Sequence, residues 1–266
     1  MKFSNLHQHT VYSDGVNTIE EVVISAIEKN MASIGISDHS FTFNDSSYCM
    51  KESDYEKYLA EIDLVKQKYA GKVDVFKGIE LDYYSKIDAN LFDYIIASVH
   101  YLYANGKYYA IDHALDIQLD YLKNCCNGDI NVFAKNYYNA LINHVKSVKP
   151  TFVGHFDVIT KFGLFDNAGE EYRKIAVNAL NEVLKYCNVI EVNTGAIIRR
   201  LRSNPYPDVF LLKEILNKGG EVTLSSDSHD KSNIVSFFEN SVELLKELGF
   251  KYVVQFDGKN FVKQYI

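Results

Sequence analysis

The sequence predicts an α/β fold in which parallel strands close into a barrel. Short apolar, β-branched runs alternate with longer stretches of helical period. Each apolar run is followed directly by a polar residue suited to chemistry. The length of 266 residues is somewhat large for an average domain but ordinary for an α/β barrel folded as one unit. With 47% hydrophobic residues the chain can bury a large core, and its three prolines and lack of Ser/Gly-rich or repetitive stretches leave no linker. Residues 1–266 are expected to form a single domain.

The elements follow in order. FSNLH (3–7) is the first strand, and residues 17–30 the first helix, with Ile19, Val22, Val23, Ala26 and Ile27 on one stripe and Thr18 and Glu21 as a capping box. ASIGIS (32–37) is the second strand. Tyr55, Tyr58, Leu59, Ile62, Val65 and Tyr69 mark the next helix. VDVFKGI (73–79) and YIIASV (94–99) are strands; Phe133 to Val145 is a weaker helix, and TFVG (151–154) a strand. A helix then carries Tyr172, Ile175, Ala176, Ala179, Leu180, Val183 and Leu184, followed by strand NVIEV (188–192). Val209 to Leu216, with Asp208 as N-cap, precedes the seventh strand, EVTLSS (221–226). Phe237 to Leu248 is a final helix stopped by Gly249. The 20 Tyr and 16 Phe read as packing for helices and barrel.

The strand ends carry the chemistry. LHQHT (6–10) places His7 and His9 at i and i+2, on one side of an extended chain, where both can reach one metal ion. Later runs end in SDH (37–39), GIE (78–80), SVH (98–100), GHFD (154–157), EVN (191–193) and SSDSH (225–229). Parallel strands in a barrel bring their C-terminal ends to one rim, where active sites of such barrels lie. Of eight histidines, His7, His9, His39, His100, His155 and His229 stand at those ends. With Asp14, Glu80 and Asp227 they make an imidazole and carboxylate set without thiolate, which suits catalytic Zn, Mn or Fe. Nine ligands exceed what one ion can use, so at least two ions are implied, with Glu80 free to bridge.

Composition narrows the partners. The net charge of −7 argues against a general nucleic-acid binder, which needs a basic face. The N-terminus turns polar within a few residues, and no apolar run approaches the ~20 residues of a membrane span, so a soluble, unexported protein is expected. Cys49, Cys125, Cys126 and Cys187 lack CxxC spacing and read as reduced, cytoplasmic thiols. Oligomeric state is not legible in the sequence.

The motifs, taken in order, resemble the polymerase and histidinol phosphatase (PHP) superfamily: HxH at His7 and His9 followed by YSDG (12–15) with Asp14, then His39, Glu80, His100, His155, and DxH at Asp227 and His229. GIELDYY, SVHYL, GHFD, EVNTG followed by arginines, and SSDSH are similar to its stand-alone histidinol-phosphate phosphatases. The resemblance runs from residue 4 to about 230. It implies a distorted (β/α)7 TIM-like barrel with three divalent ions at the C-terminal strand ends. His7, His9, Glu80 and Asp227 would hold the first, Glu80, His100 and His155 the second, and Asp14, His39 and His229 the third.

The implied activity is hydrolysis of L-histidinol phosphate, a small-molecule phosphate ester, to L-histidinol and phosphate, by a hydroxide bridging the metals. Asp227, or His229 beside it, is the candidate to relay a proton to the leaving group. Arg199, in AIIRRLR, and Lys161, in TKF, are best placed for the substrate phosphate, although the family's second phosphate position could fall at Thr160. Arg200 and Arg202 read as a solvated basic cluster, Asp112 and His113 as an exposed polar pair, His144 as structural, and Tyr206-Pro207 as a chain-turning device. Nucleotides or other small esters are the alternative substrates. An exonuclease-like or purely structural PHP domain is disfavoured by the acidic charge and the filled ligand positions. A metal-binding regulator without turnover is disfavoured by several open-looking metal positions.

Overall fold

The computed structural model describes residues 2–266. Its strands are β1 (Ser4–Asn5), β2 (Ser33–Ile36), β3 (Asp74–Asp82), β4 (Tyr94–Ser98), a hairpin of β5 (Tyr101–Ala104) and β6 (Lys107–Ala110), then β7 (Phe152–Val153), β8 (Val189–Asn193), β9 (Glu221–Ser225), and a C-terminal hairpin of β10 (Tyr252–Phe256) and β11 (Phe261–Tyr265). Seven of them form one parallel sheet in the order β1-β2-β3-β4-β7-β8-β9. Each lies within, or extends by a few residues, a run expected to be a strand. The sheet curls into a nearly closed barrel, because just beyond β1 and β9 Gln8 pairs with Ser228 in a parallel bridge and the His9 amide donates to the Ser228 carbonyl (3.0 Å).

Helices α1 (Ile19–Glu28), α2 (Tyr55–Lys68), α3 (Leu115–Cys125), α4 (Ile130–Val148), α5 (Gly169–Val183), α6 (Gly195–Ile198), α7 (Val209–Asn217) and α8 (Phe238–Leu248) surround the strands. The capping box of α1 is formed by Thr18 and Glu21, Asp208 caps α7, and Gly249 closes α8 at φ 103°, a left-handed value glycine adopts without strain. Two hairpins and α3 lie outside the elements expected from periodicity. The short strands β5 and β6 join β4 to α3 and carry no parallel partner, so they lack the long apolar run that marks a barrel strand.

The outer core has two parts. One packs α1 and α2 against β2 and β3 through residues such as Val22, Ile34, Ile62 and Ile79; the larger packs α4, α5, α7 and α8 against β7, β8 and β9. A third cluster of Leu6, Phe76, Tyr94, Ile96, Phe152 and Val189 fills the barrel, and Val254 and Phe256 of the C-terminal hairpin close it from the side where the strands begin. Tyr94 crosses the interior to donate its hydroxyl hydrogen to the Leu6 carbonyl (2.6 Å), the residue before His7. Gly35 and Gly78 make this possible, since a Cβ at either position would collide with the Tyr94 ring. Among the described residues no helix is long and apolar enough to cross a membrane.

His144 on α4 is buried, and its Nε2 lies 2.8 Å from the Leu81 carbonyl, one residue past Glu80. It supports the end of β3, in keeping with a structural role. Burial lowers its pKa below the ordinary value, opposed by the bond to Leu81. As pH falls below ~6.5 the unfolded chain takes up a proton that folded His144 refuses, so its contribution is complete above ~6.5 and declines toward its lower folded pKa. Replacing His144 by Gln should flatten the fall in urea-denaturation midpoint between about pH 7 and pH 5; an unchanged slope would remove His144 from the acid response.

Candidate metal centre

The parallel register explains how distant motifs meet. Each strand of the barrel ends on the same rim, and the bridge between Gln8 and Ser228 brings HxH beside DxH across 220 residues of chain. His39 continues β2 as a parallel bridge to Glu80. The YSDG turn is tied down by Asp38, whose carboxylate accepts from the Thr10 amide (2.7 Å), the Thr10 hydroxyl (2.8 Å), the Ser13 amide (3.1 Å) and the Ser13 hydroxyl (2.5 Å). Gly15 at that turn lies so close to the His9 and Thr10 backbone that a Cβ would overlap it. Asp14 is thereby presented to the rim.

All nine expected ligands surround one depression. Glu80 lies at its centre: its Oε2 is 3.2 Å from His7 Nε2, 2.7 Å from His39 Nδ1 and 3.6 Å from His9 Nε2, and its Oε1 is 3.0 Å from His155 Nε2 and 3.3 Å from His100 Nε2. Asp227 Oδ1 stands 3.2 Å from His9 Nε2 and 3.8 Å from His7 Nε2. Asp14 faces His229 (3.1 Å) and His39 (3.7 Å). Three overlapping groups have ligand atoms close enough to share an ion: His7, His9 and Glu80; His39, Glu80 and His100; and His9, Asp14, His39 and His229. His39 therefore borders two groups, and the His100 and His155 Nε2 atoms approach within 3.2 Å.

The donor set fits divalent metal. Buried polar atoms are normally hydrogen-bonded, yet His7 Nε2, both ring nitrogens of His9 and Glu80 Oε2 are buried without a hydrogen-bond partner. The close neighbours of His7 Nε2, His9 Nε2 and Glu80 Oε2 are other ligand atoms, placed without hydrogen-bond geometry, as expected when lone pairs point toward a shared cation. Burial would push the Glu80 carboxyl upward, but His7, His39 and His100 hold it well below the usual range. Burial, with His39 and His229 beside it, lowers His9 to about 3, so it is neutral at physiological pH, the state in which imidazole binds a metal.

A layer of acidic side chains orients the imidazoles from behind. Glu191, fully buried, accepts from His7 Nδ1 (2.8 Å), the His155 amide (2.5 Å), Asn193 Nδ2 (2.7 Å) and Ser225 Oγ (2.5 Å). It fixes the tautomer that turns His7 Nε2 inward and ties together the ends of four strand segments. Asp82 does the same for His100, meeting its backbone N (3.0 Å) and Nδ1 (3.2 Å). Sequence alone assigns Glu191, Asp82 and Asp38 no role; for Asp82 and Asp38 the available signal is an acidic residue two or one positions from an expected ligand, and for Glu191 it is an acidic residue inside a strand otherwise buried on both faces.

Above the ligands lies a cavity of about 250 Å³, with Arg199, Lys161, Asp112, Tyr48, Tyr101 and Tyr206 in its wall. Arg199 Nη2 donates to His229 Nδ1 (3.0 Å) and stands 3.6 Å from Asp227 Oδ1. Lys161 donates to the Asp112 carbonyl (2.6 Å). Thr160 does not line this cavity; its hydroxyl instead accepts from Arg202 Nη1. Three expectations need correction. Arg202 is not solvated, since its guanidinium lies 4.7 Å over the Tyr206 ring and reaches Thr160. Asp112 is not merely exposed, being held by Lys161 against the cavity. Tyr206 borders the site as well as turning the chain. These outcomes depended on side-chain direction, which chain position alone does not specify.

A family model described as PHP domain matches residues 5–195. The chain belongs to the PHP domain family. Asp227 and His229 lie beyond the matched segment, and the barrel closure brings them to it. This PHP chain is 26% identical over 258 residues to a Deinococcus radiodurans protein named probable histidinol-phosphatase, with 93% of this chain and 94% of the relative covered. It is 25% identical over 264 residues to a histidinol-phosphatase of Bacillus subtilis, covering 89% and 97%. The solved histidinol phosphate phosphatase of Lactococcus lactis, complexed with Zn, L-histidinol and phosphate, superimposes with a TM-score of 0.66 over 98% of this chain and 99% of that one, at 21% identity. That likeness establishes the PHP barrel fold.

Glu191→Gln keeps the side-chain volume but removes the charge that polarises His7. It should weaken divalent-metal affinity by ~10–100-fold, read by chelator competition. Wild-type affinity would mean that Glu191 serves the fold alone.

Proposed function

We propose that this chain is a metal-dependent phosphomonoesterase that hydrolyses L-histidinol phosphate to L-histidinol and phosphate, as in histidine biosynthesis. The observation that carries the chemistry is the cavity lined by six of the nine expected ligands, Asp14, His39, His100, His155, Asp227 and His229, with the other three buried beside them and with Arg199 and Lys161 in its wall. The substrate is supported by the relatives named histidinol-phosphatase over nearly their full lengths and by a neighbour's complex with L-histidinol and phosphate. The cavity lies near the small end of ligand sites, ~300–1,000 Å³, which suits a compact ester better than a polynucleotide.

We assign three divalent ions, Zn, Fe or Mn, to the cage: one to His7, His9, Glu80 and Asp227, one to Glu80, His100 and His155, and one to Asp14, His39 and His229. Such ions supply an acidified water and Lewis-acid stabilisation of the phosphoryl oxygens. The protein's own groups do the remaining work. Arg199 and Lys161 bind phosphoryl oxygens and hold phosphorus in line for attack. Water forms the new bond to phosphorus as the bond to the substrate alkoxide breaks, and the alkoxide needs a proton. Burial raises Asp227, but Arg199, His7 and His9 outweigh it and keep the carboxylate ionised. Asp227 therefore supplies charge, and it, or His229 beside it at the partly exposed cavity edge between Asp14 and Arg199, is the candidate to relay a solvent proton to the departing alkoxide.

The substrate assignment is tested by phosphate release from a panel of L-histidinol phosphate, nucleotides, sugar phosphates and p-nitrophenyl phosphate. L-Histidinol phosphate should lead with kcat/KM of ~10⁴ M⁻¹s⁻¹ or more, and chelation should abolish turnover and lower the thermal midpoint. A different leading ester would retain the phosphoesterase and reject the substrate. Arg199→Ala should raise KM by ~10–100-fold with a smaller change in kcat if the guanidinium binds ground and transition states alike; a fall confined to kcat would instead place its contact in the transition state.

A further inference from the structure

Tyr206 is a buried residue whose polar end has no partner. It is 2% exposed, and its hydroxyl makes no hydrogen bond. The backbone there is rigid: Tyr206 and Asn193, the last residue of β8, exchange two hydrogen bonds, Asn193 N to Tyr206 O (2.8 Å) and Tyr206 N to Asn193 O (2.9 Å). One ring face is covered by the Arg202 guanidinium at 4.7 Å, and Arg202 is itself held by Thr160 and Asp208. The ring meets His155 edge-on, centroids 6.4 Å apart, and borders the same cavity as Arg199 and Lys161.

A buried hydroxyl without a partner costs ~1–3 kcal/mol, and phenylalanine would fill the same space without that cost. A tyrosine locked in such a position therefore points to a ligand that completes its hydrogen bond. The hydroxyl stays protonated, because burial, opposed by Arg202 and reinforced by Asp157 and Asp112, pushes its pKa up. It is thus a donor. With Arg199 and Lys161 in the same wall, the ligand atom such a donor meets is an anionic oxygen rather than a cation.

The geometry points to Tyr206 as a substrate-binding residue whose hydroxyl donates a hydrogen bond to a phosphoryl oxygen, from the His155 side of the cavity. This rests on the phosphomonoesterase reading above.

Tyr206→Phe tests it with three readouts on metal-loaded protein. Affinity for inorganic phosphate, measured by calorimetric titration, should weaken about tenfold, and kcat/KM for L-histidinol phosphate should fall by ~10–100-fold, the span of a hydrogen bond to a charged acceptor. Metal content should be unchanged, and the ligand-free thermal midpoint unchanged or higher. Phosphate affinity and kcat/KM both within twofold of wild type would overturn the assignment. A variant that loses metal or several degrees of stability would also overturn it, because the hydroxyl would then be a structural donor. If phosphate affinity falls while the wild type does not hydrolyse L-histidinol phosphate, the hydroxyl's role stands and the substrate reading fails.

Discussion

The site depends on one buried carboxylate. Five imidazoles, from His7, His9, His39, His100 and His155, lie within 3.6 Å of Glu80, on strand segments spread through the first 155 residues. An arrangement of this kind is unfavourable alone: imidazoles and carboxylates leave water, and several of their lone pairs find no hydrogen. It becomes favourable when cations occupy the points on which those lone pairs converge. Binding of a metal there and the ordering of the rim would therefore be one thermodynamic event, with Glu80 as the group that most of the surrounding imidazoles share.

The barrel supplies what the carboxylate needs. Its seam, where Gln8 meets Ser228, is also where the first and last ligand motifs meet, so closing the sheet and completing the ligand set are the same act of folding. Behind the seam, Glu191 and Asp82 fix imidazole orientation, and Tyr94 passes between Gly35 and Gly78 to hold the chain just before His7. The apolar interior thus fixes the height of the HxH segment, while the polar layer fixes its rotation. Neither layer alone would aim two nitrogens at one point.

Selectivity has a different origin from the metal chemistry. The ligands come from strand ends common to the barrel, whereas the upper wall comes from connections: the loop holding Asp45 and Tyr48, the β5–β6 hairpin with Tyr101, and the turn with Tyr206. Tyr48 stacks on Tyr101 at 5.9 Å, and the Tyr101 hydroxyl donates to Asp45 (2.6 Å). Loops carried by a rigid rim can change without disturbing the strand-end residues beneath them.

The sequence by itself determined the architecture and the inventory of the centre. Periodicity is a local property, so alternation of apolar runs and helical stripes was legible, as was the recurrence of His, Asp and Glu at strand ends; His7 and His9 had to share a side because a strand repeats every two residues. Where periodicity was weak, at α3 and both hairpins, the fold was not legible. Tertiary structure alone decided direction and partnership. Arg199 turns to Asp227 and His229 while Arg202, three residues on, turns to Thr160 and Tyr206. Glu191 looks like any acidic residue in a strand until closure brings it to His7, 184 positions away. A side chain's role here follows from which distant group faces it, and that is settled only when the barrel closes.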